Sequence, residues 1–183
     1  MSKVHAEIEP RLAEWILAQR MFFVATAPLD AAGHVNISPK GLDGTLAVLG
    51  PHRVAYLDFT GSGAETIAHL RENGRIVVML CAYDGPPQIV RLHGRGVVHL
   101  PASARFEALR PGFANPRQAG VRSIIEIEVD RVSDSCGFAV PLMSHQGQRD
   151  LLDQWSDRKT PAELDEYRAA RNSESIDGLP TLG

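Results

Sequence analysis

Residues 75–99 read RIVVMLCAYDGPPQIVRLHGRGVVH. Two apolar, β-branched runs flank the turn Asp84-Gly85-Pro86-Pro87. Residues 75–83 place Ile76, Val77, Val78, Met79 and Leu80 in succession, which predicts a central strand buried on both faces. Residues 88–99 predict a second long strand. A connection this short joins neighbouring strands only in the antiparallel sense. Gly94 and Gly96 lie inside the second strand and predict a bend or bulge, as at a barrel corner.

The same alternation of short strands and tight turns extends outward. Pro10, with Leu12, Trp15, Ile16 and Gln19, predicts a helix over 10–20. Strands are expected at 21–27, at 34–38 (stopped by Pro39-Lys40-Gly41), at 45–49 and at 53–59, then a helix at 64–72 ending at Asn73-Gly74. A helix near 102–109 precedes a long strand at 121–132. In that strand Val121, Ser123, Ile125, Ile127 and Val129 share one face, and Arg122, Glu126, Glu128 and Asp130 lie on a solvated opposite face. Residues 149–158 and 161–171 read as charged helices that dock through Trp155 and Tyr167, and 172–183 as turns lying over another surface. About seven mostly antiparallel strands with peripheral helices predict a mainly β barrel. It forms one domain over 1–183, with 133–183 as a C-terminal helical extension.

Composition narrows the function. Hydrophobic residues are 44% and charged residues 22% of 183, so a packed globular core is expected. The 19 basic and 22 acidic residues give a net charge of -3, which leaves no excess charge for a nucleic-acid backbone or an anionic membrane. Aromatics at 6% also argue against base-stacking platforms. Cys81 and Cys136 form no C-x-x-C pair, and the seven histidines show no ligand spacing, so no metal site is expected. The start lacks the basic-then-apolar pattern of a secretory signal, and no apolar run is long enough for a membrane helix. The expectation is a cytoplasmic protein with reduced thiols.

Two segments carry candidate chemistry. Gly61-Ser62-Gly63-Ala64-Glu65-Thr66 follows a strand and opens a helix, where backbone N–H groups can receive a phosphate. It is also a plain strand-to-helix turn, and it approaches the dinucleotide fingerprint G-x-G-x-x-G with Thr66 in place of the last glycine. A nicotinamide-dependent enzyme would need parallel strands around it. The second segment is Asn36-Ile37-Ser38-Pro39-Lys40-Gly41. Period two puts Asn36, Ser38 and Lys40 on one face, an amide, a hydroxyl and an ammonium suited to a phosphate-bearing ligand or simply to solvent.

In order and spacing these motifs resemble the pyridoxamine 5′-phosphate oxidase-like flavoproteins of the FMN-binding split-barrel fold. The resemblance runs over about 20–132. It rests on Val35-Asn36-Ile37-Ser38-Pro39-Lys40-Gly41, Ala55-Tyr56-Leu57-Asp58, the Gly61–Thr66 stretch, Asn73-Gly74-Arg75 and Gln88-Ile89-Val90-Arg91-Leu92-His93-Gly94. It implies a split β-barrel, FMN as cofactor, a small-molecule substrate and a homodimer with flavin sites between subunits. By resemblance Val35, Asn36, Ile37, Ser38, Pro39 and Lys40 lie along the flavin and its ribityl chain, and Tyr56 and Leu57 lie near the cofactor. Gly61, Ser62 and Gly63 form the phosphate loop, and Gln88 and Arg91 complete the set. Ser62 and Gly63 stand where the vitamin-B6 oxidases carry an Arg-Lys pair. Phosphate binding is therefore expected to rest on Lys40, the Ser62 hydroxyl, backbone N–H groups and Arg91. The chain end, Asp177-Gly178-Leu179-Pro180-Thr181-Leu182-Gly183, lacks the basic substrate segment of those oxidases. The implied function is an FMN-dependent oxidoreductase, or a non-catalytic flavin or ligand module on the same scaffold.

Overall fold

The computed structural model describes residues 3–182. The strands are β1 (Lys3–His5), β2 (Phe22–Thr26), β3 (Asn36–Lys40), β4 (Leu46–Gly50), β5 (Arg53–Phe59), β6 (Arg75–Cys81), β7 (Ile89–His99) and β8 (Val121–Ser135). The helices are α1 (Pro10–Ala18), α2 (Glu65–Asn73), α3 (Ala104–Leu109), α4 (Leu151–Asp157) and α5 (Pro161–Arg171). Every strand pairing is antiparallel, in the order β3-β2-β6-β7-β8-β5-β4, with β1 on β8 beyond the end of β5. β5 and β6, which flank the glycine loop and α2, are separated by β8 and β7. No parallel βαβ unit surrounds the loop, and the dinucleotide-fold expectation falls with it.

A short connector gives the sheet its shape. β3 and β4 are the two ends of the strand path, yet only residues 41–45 join them. Six strand spacings of a flat sheet would separate them by about 29 Å, and the six virtual bonds from Lys40 to Leu46 reach at most about 22 Å. The sheet must curl until its two edges face each other, which makes a split barrel. The connector is locked by side chains. The Thr45 hydroxyl donates to the carbonyls of Gly41 and Leu42, at 3.1 and 2.9 Å, and the Asn115 side chain donates to the Asp43 carbonyl. Gly44 has φ +73°, and a Cβ there would lie 2.5 Å from the Asn115 nitrogen.

Inside the curl, Val24, Val54, Tyr56, Val78, Leu80, Val90, Leu92, Ile125 and Ile127 are buried. Leu12 and Ile16 of α1 and Ile67 and Leu70 of α2 plug the open sides. On the outer face a smaller cluster joins Ala47, Ala55, Leu57 and Ile124 to Phe106 and Leu109 of α3 and to Phe113. Trp155 of α4 and Tyr167 of α5 stack edge-to-face at 4.9 Å, so these two aromatics dock on each other. No helix among the described residues is long and apolar enough to cross a membrane.

Four expectations need correction. The three-residue β1 makes eight strands, one more than the pattern showed. Pro39 does not stop β3; it sits within it opposite Phe23, and the missing N–H is tolerated because β3 is an edge. β6 is buried fully on only one face, with Val77 and Met79 half-buried. β8 runs through Ser135, and its second face is not simply solvated. Arg122 is buried, and Glu126 is mostly covered by His99, Arg105 and Arg53.

The bulge foreseen from the glycines lies between His93 and Gly94, opposite β8. A Cβ on Gly94 would lie 2.0 Å from the Glu128 carbonyl oxygen, so backbone there meets backbone. Gly94→Ala should cost about 1–3 kcal/mol, whereas Gly50→Ala, which meets nothing within 4 Å, should stay within about 0.5 kcal/mol. Urea midpoints of the two variants check this.

Candidate functional site

Asp58 is the one acid in β5, among the mainly apolar residues that follow Arg53, and it is 2% exposed. A carboxylate buried this deeply persists only with charge and hydrogen-bond partners. Arg122 Nε of β8 donates to it at 2.8 Å, the Ser123 hydroxyl at 3.2 Å, and Lys40 Nζ of β3 at 3.4 Å. Burial pushes the Asp58 carboxyl up, but Arg122 and then Lys40 outweigh it and hold the group below the ordinary aspartate value. The curl of the sheet brings Lys40 from one edge to Asp58 near the other. Its ammonium also stands 5.9 Å from the Tyr56 ring centroid.

Arg122 extends the network. Its Nη1 donates to the Gly63 carbonyl at 2.9 Å and to Asn172 Oδ1 at 2.8 Å. Asn172, at the end of α5, donates from Nδ2 to the Gly61 carbonyl at 3.0 Å and accepts through its own carbonyl from the Thr181 hydroxyl. Arg168 of α5 donates to the Thr60 hydroxyl and the Val121 carbonyl. The C-terminal residues therefore clamp the glycine loop by its carbonyls. No N–H of residues 61–64 has a partner among the described residues. Ser62 is exposed, and neither Gly61 nor Gly63 has a left-handed φ. Glu65 in the first turn of α2 accepts from the Ile176 N–H at 3.1 Å.

The inward face of β3 is used internally. Asn36 Nδ2 donates to the Thr26 and Thr66 hydroxyls at 3.1 and 3.0 Å, and the Ser38 hydroxyl donates to Asn36 Oδ1. Thr26 Oγ1 lies 2.9 Å from Nδ1 of the buried His69, whose Nε2 has no partner among the described residues. The fully buried Tyr56 hydroxyl faces Thr66 without a well-aligned hydrogen bond, and burial pushes its pKa well up. Val35 and Ile37 face outward and are 73% and 62% exposed.

A cleft of about 700 Å³ opens at the seam of the barrel. Pro39, Lys40, Gly41 and Leu42 form one wall; Leu57, Phe59, Thr60 and Gly61 another; Met143–Arg149 with Leu151 and Leu152 a third. Four of the residues singled out from sequence thus meet in it: Pro39, Lys40, Leu57 and Gly61. Val35, Asn36, Ile37, Ser38, Tyr56, Ser62 and Gly63 lie outside its lining. So do Gln88, whose carbonyl accepts from the Ala82 N–H, and Arg91, which donates to the Ser135 hydroxyl. Sequence reasoning missed Arg122, Asn172 and the 143–152 wall. The register shift opposite Asp58–Phe59 leaves Arg122 as an extra residue in β8: Val121 joins Ile124 in the outer cluster, and Arg122 turns with Ser123 onto Asp58, which strict alternation does not show.

The comparisons agree with this architecture. The family model described as pyridoxamine 5′-phosphate oxidase matches residues 8–136. The chain is 39% identical to the pyridoxamine 5′-phosphate oxidase family protein ustO of Aspergillus flavus, over 97% of this chain and 77% of that one. The chain belongs to the pyridoxamine 5′-phosphate oxidase family. Among solved structures it resembles HupZ from Group A Streptococcus, in a single-substitution form, with a TM-score of 0.57 at 23% identity over 70% of this chain and 99% of that one. It also resembles a conserved protein of unknown function from Corynebacterium diphtheriae, with a TM-score of 0.50 at 13% identity over 73% and 95% of the two chains.

The Asp58 cluster makes a stability prediction. Arg122→Met strands a buried carboxylate and should cost about 3–5 kcal/mol. The folded-state pKa of Asp58 lies below its unfolded value. Its contribution is therefore fully present above about pH 4 and is lost as the pH falls through the folded value. Denaturant titrations across pH should show a shallower acid limb for Asp58→Asn than for the wild type.

Proposed function

We propose that the protein is an FMN-binding flavoprotein that acts as an oxidoreductase on a small molecule, with the flavin in the seam cleft. The cleft carries this reading. Its volume of about 700 Å³ falls within the range of about 300–1,000 Å³ typical of cofactor pockets. It joins apolar surface (Met21, Leu42, Leu57, Phe59) to the Lys40 ammonium and the backbone of Gly61, groups that suit a flat ring system with a phosphate tail. A Cβ on Gly61 would meet nothing within 4 Å, so space is free beside the loop. Family membership supports the same cofactor.

FMN, when bound, supplies transfer of an electron pair or single electrons; the chain supplies binding and orientation. Leu57 and Phe59 offer apolar surface to the ring. Pro39 and Lys40 run along the cofactor, and the hydrogen bonds of Asn36 and Ser38 keep β3 in place behind them. Tyr56 backs Lys40 from below. Lys40 and Gly61 are assigned to the phosphate end; the adjoining Ser62 and Gly63 lie outside the cleft lining.

The reading includes a homodimer. Gln88 and Arg91 lie outside the cleft of their own chain, so a role for them at the flavin calls for a second copy. Val35 and Ile37 expose apolar side chains on an open sheet edge, which proteins ordinarily cover.

Purified protein should absorb in the blue and near ultraviolet and release FMN on denaturation. A colourless protein that fails to bind added FMN would reject the assignment. Sedimentation velocity at micromolar concentration should give a dimer. Ile37→Glu should give a folded monomer with weakened FMN binding; a monomeric wild type would refute the assembly.

A further inference from the structure

We propose that Arg149, from the segment that walls the cleft, supplies the cation for the FMN phosphate. This inference rests on the FMN reading above. The loop itself carries no cation, since Ser62 and Gly63 occupy it, and neither lines the cleft. The barrel-side cations near the cleft already have acidic partners. Lys40 lies 3.4 Å from Asp58, Arg20 lies 3.6 Å from Asp43, and Arg122 is buried against Asp58. Among the described residues lining the cleft, Arg149 is the cation with no carboxylate partner. Asp84 is the acid of that lining, and it does not pair with Arg149.

The backbone around Arg149 is held. The Gln148 side chain accepts from the Leu42 N–H at 3.3 Å and donates to Asp43 Oδ1 at 3.1 Å, so it is pinned to the β3–β4 connector. Upstream, the Met143 N–H donates to the Tyr83 carbonyl at 2.8 Å. Downstream, the Asp150 carbonyl accepts from the Gln154 N–H at 2.8 Å and starts α4. Arg149 therefore sits between two fixed points, with its side chain free and on the same cleft as Lys40 and Gly61. A guanidinium presents a planar fork that matches two phosphate oxygens at once. The segment lies beyond residues 8–136, the part matched by the family model.

The test titrates wild type, Arg149→Gln and Arg149→Lys with FMN and with riboflavin, reading flavin fluorescence, with melting curves to confirm folding. Arg149→Gln should weaken FMN by about tenfold to a hundredfold and leave riboflavin nearly unchanged. Arg149→Lys should recover part of the loss. Lys40→Ala should cost less than Arg149→Gln, because Asp58 already shares the Lys40 charge. If wild type binds FMN and Arg149→Gln binds it equally well, this inference fails and the FMN reading stands. If wild type binds neither flavin, both fail.

Discussion

The five-residue connector between the two edge strands is the constraint from which the rest of the molecule follows. A flat sheet in this strand order could not be spanned by residues 41–45, so the sheet closes on itself around α1 and α2. The closure is incomplete, because β3 and β4 face each other without pairing. The cleft opens beside that gap, with Gly41 and Leu42 of the connector in its wall. Fold and site are therefore one geometric event. The chain reversal that curls the sheet also brings an ammonium from one edge to a carboxylate near the other.

That carboxylate, Asp58, organises what surrounds the cleft. A buried ion pair adds little net stability over an apolar substitute, but breaking one is costly. Its use here is positional. Arg122 satisfies Asp58 with one nitrogen and reaches the Gly63 carbonyl and Asn172 with another, so the barrel core, the glycine loop and the C-terminal helix share one guanidinium. The tail continues the hold. Asp177 accepts from the His34 backbone N–H and pairs with its ring, and this hydrogen-bonded contact raises the His34 pKa. Residues beyond the family-matched region are thus tied to the loop and to the turn between β2 and β3.

Local pattern made much of the fold legible. Apolar runs bounded by Gly-Pro and Asn-Gly turns place β5 at its observed limits and most other strands within a few residues. Gly94 marked the bulge because a side chain there would meet Glu128 backbone. What stayed hidden depends on contacts distant in sequence. Arg122 read as solvated because strict alternation does not foresee the register shift opposite Asp58–Phe59 that turns it, with Ser123, onto Asp58. Asp58 entered only as the end of the motif Ala55-Tyr56-Leu57-Asp58, because its partners lie 64 and 18 residues away. The period-two face of Asn36, Ser38 and Lys40 is real. Asn36 bonds Thr26 and Thr66, Ser38 bonds Asn36, and Lys40 reaches Asp58, partners that only the packing of α2 and the curl of the sheet reveal. The 143–152 wall has no periodicity over its first half, so nothing in the sequence placed it against β3 and β5.

The seam cleft, walled by the barrel edge on one side and by residues 143–152 on the other, is the site proposed for FMN. Hydrogen–deuterium exchange with and without FMN tests it most directly, because it reports backbone protection segment by segment without a substitution. Added protection is expected in 39–42, in 57–61 and in 143–152. Protection that leaves 143–152 at its FMN-free rate would contradict it and place the cofactor elsewhere on the barrel.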